Sequence, residues 1–223
     1  GRIIHRRAFQ ICEDLELEKN FYDKIVQNMG FDVAKNKLKE EGPIALKSRE
    51  EVIKKLINFF IKYNINISYE LIDNIFMKTQ KKFEPEIQNF VRPINGVIEF
   101  LNFLKNFDIK IALVTSDICS NAEKAIEKLG LVNYFDAVIG GDMGIGKKSD
   151  GLPAKFVCNQ LNIKEKNVIA IGDAYMDHYM AEKANLSGSI LVSTGQIPLV
   201  SLLKINPASI SNLKEIHIAK TQF

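Results

Sequence analysis

The sequence predicts an all-helical segment over residues 1–92, followed by an α/β segment over residues 93–223 built on a parallel sheet. Three observations predict it. Residues 2–90 carry apolar side chains at helical spacing and almost no strand pattern. Beyond Val91-Arg92-Pro93, helical patterns alternate with short unbroken apolar runs, the grammar of βαβ units. Several of those runs end in polar residues, at the sheet edge where open α/β folds bind ligands.

The bulk properties narrow the function. A chain of 223 residues suits one large domain or two small ones. Hydrophobic residues at 46% and charged residues at 26% are those of an ordinary globular protein. With 30 basic and 27 acidic residues, the net charge of +3 is too balanced for a nucleic-acid partner. No apolar run is long enough for a membrane span, and there is no signal peptide. Cys12, Cys119 and Cys158 lie far apart without CxxC spacing and read as free thiols in a reducing, cytoplasmic compartment.

In the first segment, Ile4, Ala8 and Ile11 share one helical face, and KNFYDKIVQNMG repeats the pattern up to Gly30. DVAKNKLKEEG is a short polar stretch that ends at Gly42-Pro43. Ser48 with Glu51 has capping-box spacing at the head of the next helix. The helix beginning at SYELIDNIF is expected to break near Pro85. The whole reads as a bundle of about four or five helices.

In the second segment, INGVIEFLNFLKNF is a helix with Val97, Phe100, Leu101 and Leu104 on one face. The runs IALV, FDAVIGG, VIAI and SGSILV read as buried strands, separated by helices over NAEKAIEKLG, PAKFVCNQLNI and AYMDHYMAEKAN. PLVSLLKIN is a short closing helix.

Three strand ends carry the candidate chemistry. IALV ends in Thr115-Ser116-Asp117, where a hydroxyl and turn amides can hold an anionic oxygen. FDAVIGG leads into a Gly-rich loop with Lys147 and Lys148, either of which can place a point charge on phosphate. VIAI ends in Gly172-Asp173, with Asp177 one helical turn on. Two neighbouring carboxylates repel unless a cation lies between them, and oxygen ligands beside phosphate suit Mg²⁺. Taken singly, Thr115 or Ser116 could cap a helix, either lysine could be solvated, and Asp173 with Asp177 could cap and charge a helix start. Together they make a site for a phosphate dianion with a metal.

The ordered motifs resemble those of the haloacid dehalogenase superfamily, in members such as phosphoglycolate phosphatase and β-phosphoglucomutase that carry a helical cap. LVTSD resembles the second motif, with Thr115 in the hydroxyl position. KSDGLPAKF resembles the lysine motif with Ser149 where proline usually stands, and the family spacing back from Asp173 falls on Lys148. GDAYMD resembles the fourth motif, with Asp173 and Asp177 as its acids. The resemblance implies a Rossmann-like core with a cap over residues 1–92. It implies Mg²⁺ on Asp173 and Asp177, and phosphate on Thr115, Ser116 and Lys148, with Thr115, Lys148 and Asp173 serving catalysis. It also implies a phosphatase of a small phosphorylated metabolite, working through an aspartyl phosphate.

The chain departs from the family at the first motif, DxDx(T/V), which supplies the nucleophile. Asp14-Leu15-Glu16 and Asp32 have no apolar strand before them. With Gly1 first, the chain reads as a fragment lacking the first core strand. The alternatives are a non-catalytic, phosphate-binding or regulatory relative, and a sugar-phosphate mutase of the same superfamily.

Overall fold

The computed structural model describes residues 2–40 and 42–217. They form two compact units, Gly1–Phe90 and Val91–Phe223.

In the first unit, α1 (Arg2–Asp14) buries Ile4, Ala8 and Ile11, and α2 (Asn20–Asn28) buries Ile25 and Val26. The polar stretch that follows is not helical. Phe31–Asp32 (β1) and Lys37–Leu38 (β2) pair antiparallel, Phe31 opposite Leu38. The sequence showed no strand there because each strand has only two residues, too short for a period-2 pattern. Asp32 closes the turn by accepting from the Lys35 amide at 3.0 Å. Gly30 starts the hairpin at φ 99°, and a Cβ on it would lie 2.5 Å from the Gly42 Cα, so only glycine fits.

After α3 (Pro43–Leu46), Ser48 caps α4 (Arg49–Ile61) through the expected box. Its Oγ accepts from the Glu51 amide at 3.3 Å, and Glu51 Oε2 accepts from the Ser48 amide at 3.1 Å. α5 (Tyr69–Phe90) contains Pro85 within its span, so the expected break does not occur. Arg49 ties α4 to α5, donating through Nε to Asp73 Oδ1 at 2.7 Å and through Nη2 to the Asp73 carbonyl at 2.9 Å. One apolar cluster, including Ile11, Ile25, Leu56, Phe60 and Phe76, fills the unit.

In the second unit, α6 (Val97–Asn106) packs Leu101 and Val97 against Ile126 and Leu131. The chain continues through β3 (Ala112–Val114), α7 (Cys119–Lys128), β4 (Ala137–Ile139), α8 (Leu152–Gln160), β5 (Ile169–Gly172), α9 (Tyr175–Ala184), β6 (Gly188–Val192), α10 (Leu199–Leu202) and β7 (Ser209–Ile210). All pairings here are parallel, as the alternation predicts, but they form two sheets: β3 with β4, and β5-β6-β7.

Val114 of β3 and Ala170 of β5 pack against one cluster of Ala154, Met180 and Ala184 from α8 and α9. The two sheets thus share a helical layer without hydrogen bonds between β3 and β5. The expectation that VIAI is buried on both faces is therefore corrected. Ala170 faces the helices, while the alternating Ile169 and Ile171 are 56% and 40% exposed.

At the opposite strand ends, Asp136 locks β3 to β4. It accepts from the Ile111 amide at 2.9 Å and from Lys105 and Lys110 at 3.1 Å each. The Ile111 hydrogen bond foremost, then the lysines, lower its pKa to about 2. A depressed pKa stabilises above the ordinary carboxylate value and loses that contribution as pH falls from about 4 towards 2. Asp136→Asn is expected to lower stability at pH 7 by about 1–2 kcal/mol and to flatten the acid limb of a urea-unfolding series. An unchanged acid limb would show that the carboxylate is not the group responsible.

Candidate active site

β5 runs into Gly172 and Asp173, and α9 begins one residue after Ala174. Asp177 occupies the third position of α9, where its Oδ2 accepts from the Ala174 amide at 3.0 Å. Its Oδ1 accepts from Lys148 Nζ at 2.6 Å. The pair is well enclosed, with 18% of the lysine side chain and 8% of the Asp177 side chain exposed. Both oxygens of Asp177 are therefore engaged.

Lys148 is presented by a single 3₁₀ turn, Lys148–Asp150. Asp150 braces that turn, accepting from the Lys147 amide at 3.0 Å and the Leu152 amide at 2.9 Å. Of the two lysines left open by the residues alone, it is Lys148 that reaches the acid pair.

Asp173 is exposed as a residue, while its carboxylate lies over the Gly195 backbone, where a Cβ would fall 1.8 Å from Oδ2. Crowding around the carboxyl group, then the charge of Asp177, raises its pKa above the usual carboxylate value, against the pull of its own backbone amide and Lys148. Gly172 makes similar room, since a Cβ there would lie 2.1 Å from Asp177 Oδ2. Neither spacing role is visible in sequence. The one signal for Gly195 is a glycine shortly after an apolar strand.

Thr115 and Ser116 follow β3. Thr115 extends the ladder, its amide donating to the Ile139 carbonyl at 2.9 Å, and its Oγ1 accepts from the Asp117 amide at 3.1 Å. The hydroxyl hydrogen is left for an acceptor, and Ser116 beside it is exposed. Among the described residues, no hydrogen bond or ion pair joins Thr115 or Ser116 to Lys148, Asp173 or Asp177. The structure thus forms two groups: the lysine with both acids, and the hydroxyl turn after a neighbouring strand.

The sequence reading also missed the support behind α9. His178 Nδ1 lies 2.8 Å from Ser189 Oγ on β6, and Asn206 Nδ2 donates to the Ser189 carbonyl at 2.8 Å. The His178 contact ties the helix that bears Asp177 to β6, and the Asn206 bond holds Ser189 from the other side of the chain.

Two carboxylates against one lysine leave net negative charge, and enclosure followed by the charge of Asp177 raises the pKa of Asp173. That donor set fits a hard cation that retains water ligands. Among the described residues, no three His, Cys, Asp or Glu side chains gather into a complete metal cage.

The fold and these strand ends define a parallel α/β protein with a polar site at the sheet's carboxyl edge and a separate helical unit. The chain belongs to the haloacid dehalogenase-like hydrolase family, whose sequence profile matches residues 27–190. It is 29% identical over 133 residues to the phosphoglycolate phosphatase of Neisseria meningitidis, covering 59% of this chain and 57% of that one. Over 86 residues it is 35% identical to the phosphoglycolate phosphatase of Psychrobacter arcticus, covering 39% and 37% of the two chains. It thus aligns with less than two thirds of the length of these curated relatives, 57% of the first and 37% of the second. Two solved structures share the fold. A haloacid dehalogenase-like hydrolase of Bacteroides fragilis superposes with TM-score 0.68 at 17% identity, over 95% of this chain and 90% of that one. A haloacid dehalogenase-like family protein of Streptococcus pneumoniae gives 0.60 at 14% identity, over 93% and 84%. The resemblance drawn from the three motifs holds.

The Gly195 contact is directly testable. Gly195→Ala is expected to destabilise the chain by about 1–3 kcal/mol, because the Asp173 carboxylate must move. Gly188→Ala on β6, with nothing within 4 Å of the added carbon, should cost under about 0.5 kcal/mol. Equal melting temperatures for the two variants would remove the argument for close packing at Asp173.

Proposed function

We propose that the chain is the larger part of a Mg²⁺-dependent phosphatase acting on a small phosphorylated metabolite, with residues 1–92 as cap and 93–223 as core. The observation that carries this reading is the 2.6 Å Lys148–Asp177 pair beside Asp173, whose pKa is raised by enclosure and by Asp177. Asp173, with Asp177 behind it, would hold Mg²⁺, which supplies neutralisation of phosphoryl charge. Lys148 would place a cation on the phosphoryl oxygens, held in position by Asp177. The Thr115 hydroxyl, already accepting from Asp117, would donate to one of those oxygens. A carboxylate from a D-x-D segment would attack phosphorus and form an aspartyl phosphate, which water then hydrolyses.

The described residues offer no such carboxylate: Asp14 is the last residue of α1, and Asp32 lies in a two-residue strand. The unpaired edges of β3 and β5 over a shared helical layer support a further strand there, bearing that motif. The names of the relatives make phosphoglycolate a first substrate to assay, in a cytoplasmic setting without nucleic acid or membrane. A non-catalytic phosphate-binding protein is the second reading, favoured by the missing D-x-D. A mutase would share the same phosphoenzyme chemistry.

The 223 residues alone should release no phosphate from phosphoglycolate or an aryl phosphate with Mg²⁺. Joined to a family-type strand ending in D-x-D, they should turn over. In that extended protein Asp173→Asn should lower kcat/KM by about 10²-fold or more. Its Mg²⁺ affinity should also fall further than in Asp177→Asn. Turnover by the 223 residues that Asp173→Asn abolishes would place the nucleophile within them, and a folded but inert extended protein would favour the non-catalytic reading.

A further inference from the structure

Lys148 reaches Asp177 from a loop, and a loop does not by itself hold a lysine in place. The ammonium ends a flexible stem, and the 3₁₀ turn beneath it, Lys148–Asp150, spans three residues. So short a turn orders several torsions for each hydrogen bond it gains and has little stability of its own.

Asp150 supplies the missing restraint. Its Oδ2 accepts from the Lys147 amide at 3.0 Å, and its Oδ1 from the Leu152 amide at 2.9 Å. One carboxylate thus clasps the residue before the turn and the first residue of α8, with Lys148 between the two anchors. The neighbouring backbone leaves the clasp little slack. Gly146, at φ 129°, passes so close that a Cβ on it would lie 3.1 Å from Asp150 Oδ2. Gly151, at φ 76°, seats the turn on the last residue of α9, where a Cβ would lie 2.6 Å from the Ala184 nitrogen. The turn therefore rests on the end of α9 at Gly151, while Lys148 meets Asp177 in the first turn of that helix.

We propose that Asp150 is a positioning residue for Lys148, holding the ammonium where it meets Asp177 and, on the phosphatase reading, the phosphoryl oxygens. A misplacement of about 1 Å at such a group is enough to cost orders of magnitude in rate. The chemistry of the clasp sets a graded outcome. Asparagine keeps one acceptor oxygen and can hold one of the two amides, whereas alanine holds neither.

The test is competitive acetylation of the full chain with acetic anhydride, each lysine read by peptide mass spectrometry. Lys148, with 18% of its side chain exposed, is expected to label more slowly than the exposed Lys147 beside it. Asp150→Ala should raise the labelling of Lys148 relative to Lys147 by about fivefold or more, and Asp150→Asn by less. Lys105, paired with Asp136 at 3.1 Å, is the control and should not change in either variant. Asp150 is exposed, and thermal melting checks that each variant stays folded. In the protein extended by a D-x-D strand, Asp150→Ala should lower kcat/KM by about tenfold, with partial recovery in Asp150→Asn. An unchanged labelling ratio in both variants overturns the proposal. So does Lys105 rising in step with Lys148, which would be general loosening, or an active extended protein that loses nothing in Asp150→Ala. An extended protein already inert with Asp150 in place counts against the phosphatase reading, and the labelling ratio then decides the positioning role by itself.

Discussion

Asp177 holds the acid end of the α/β unit together by serving two neighbours at once. One oxygen caps α9 through the Ala174 amide, and the other takes Lys148 at 2.6 Å. A carboxylate with 8% of its side chain exposed is stable only when its charge is matched, and here both partners are in place. Removing one member of an enclosed pair typically costs about 3–5 kcal/mol, because the other is left buried with its charge. The same pair fixes the loop after β4 against α9. The loop cannot leave without stranding the acid, so the ion pair adds to the Asp150 bonds that brace the turn bearing Lys148.

Asp173 has the opposite situation four residues earlier. Each acid lies against a glycine that has no side chain to displace it, Asp177 against Gly172 and Asp173 against Gly195. Asp173 is a carboxylate pushed towards protonation in a position where Asp177 has already taken the lysine. The raised pKa has two sources, enclosure of the carboxyl group first and the neighbouring charge of Asp177 second.

The two sheets are the other unresolved tension. Parallel strands are ordinarily covered on both faces and paired on both edges. Here β3 and β5 contact one helical layer while leaving their facing edges unpaired, and Ile169 and Ile171 meet solvent. In the helical unit the apolar stripes close on one core, a capping box serves the start of α4, and Arg49 links α4 to Asp73 of α5.

Local pattern determined what was legible in the sequence. The alternation of apolar runs and helical stripes set the α/β class, and Ser48 with Glu51 set a helix start, because each signal is complete within a few residues. The positions of Thr115 and Asp173 were legible because each directly follows a strand and so falls at a strand end; Lys148 lies well along the loop after β4 and was picked out by motif spacing. Tertiary structure decided the rest. The sequence does not show which neighbour each acid takes, since that depends on a loop 29 residues away. Nor does it show that Gly195 sits against Asp173, that His178 is held by Ser189, or that VIAI would be covered on one face only. Apolar runs report what a strand is able to bury, and only the assembled neighbours determine whether anything covers it.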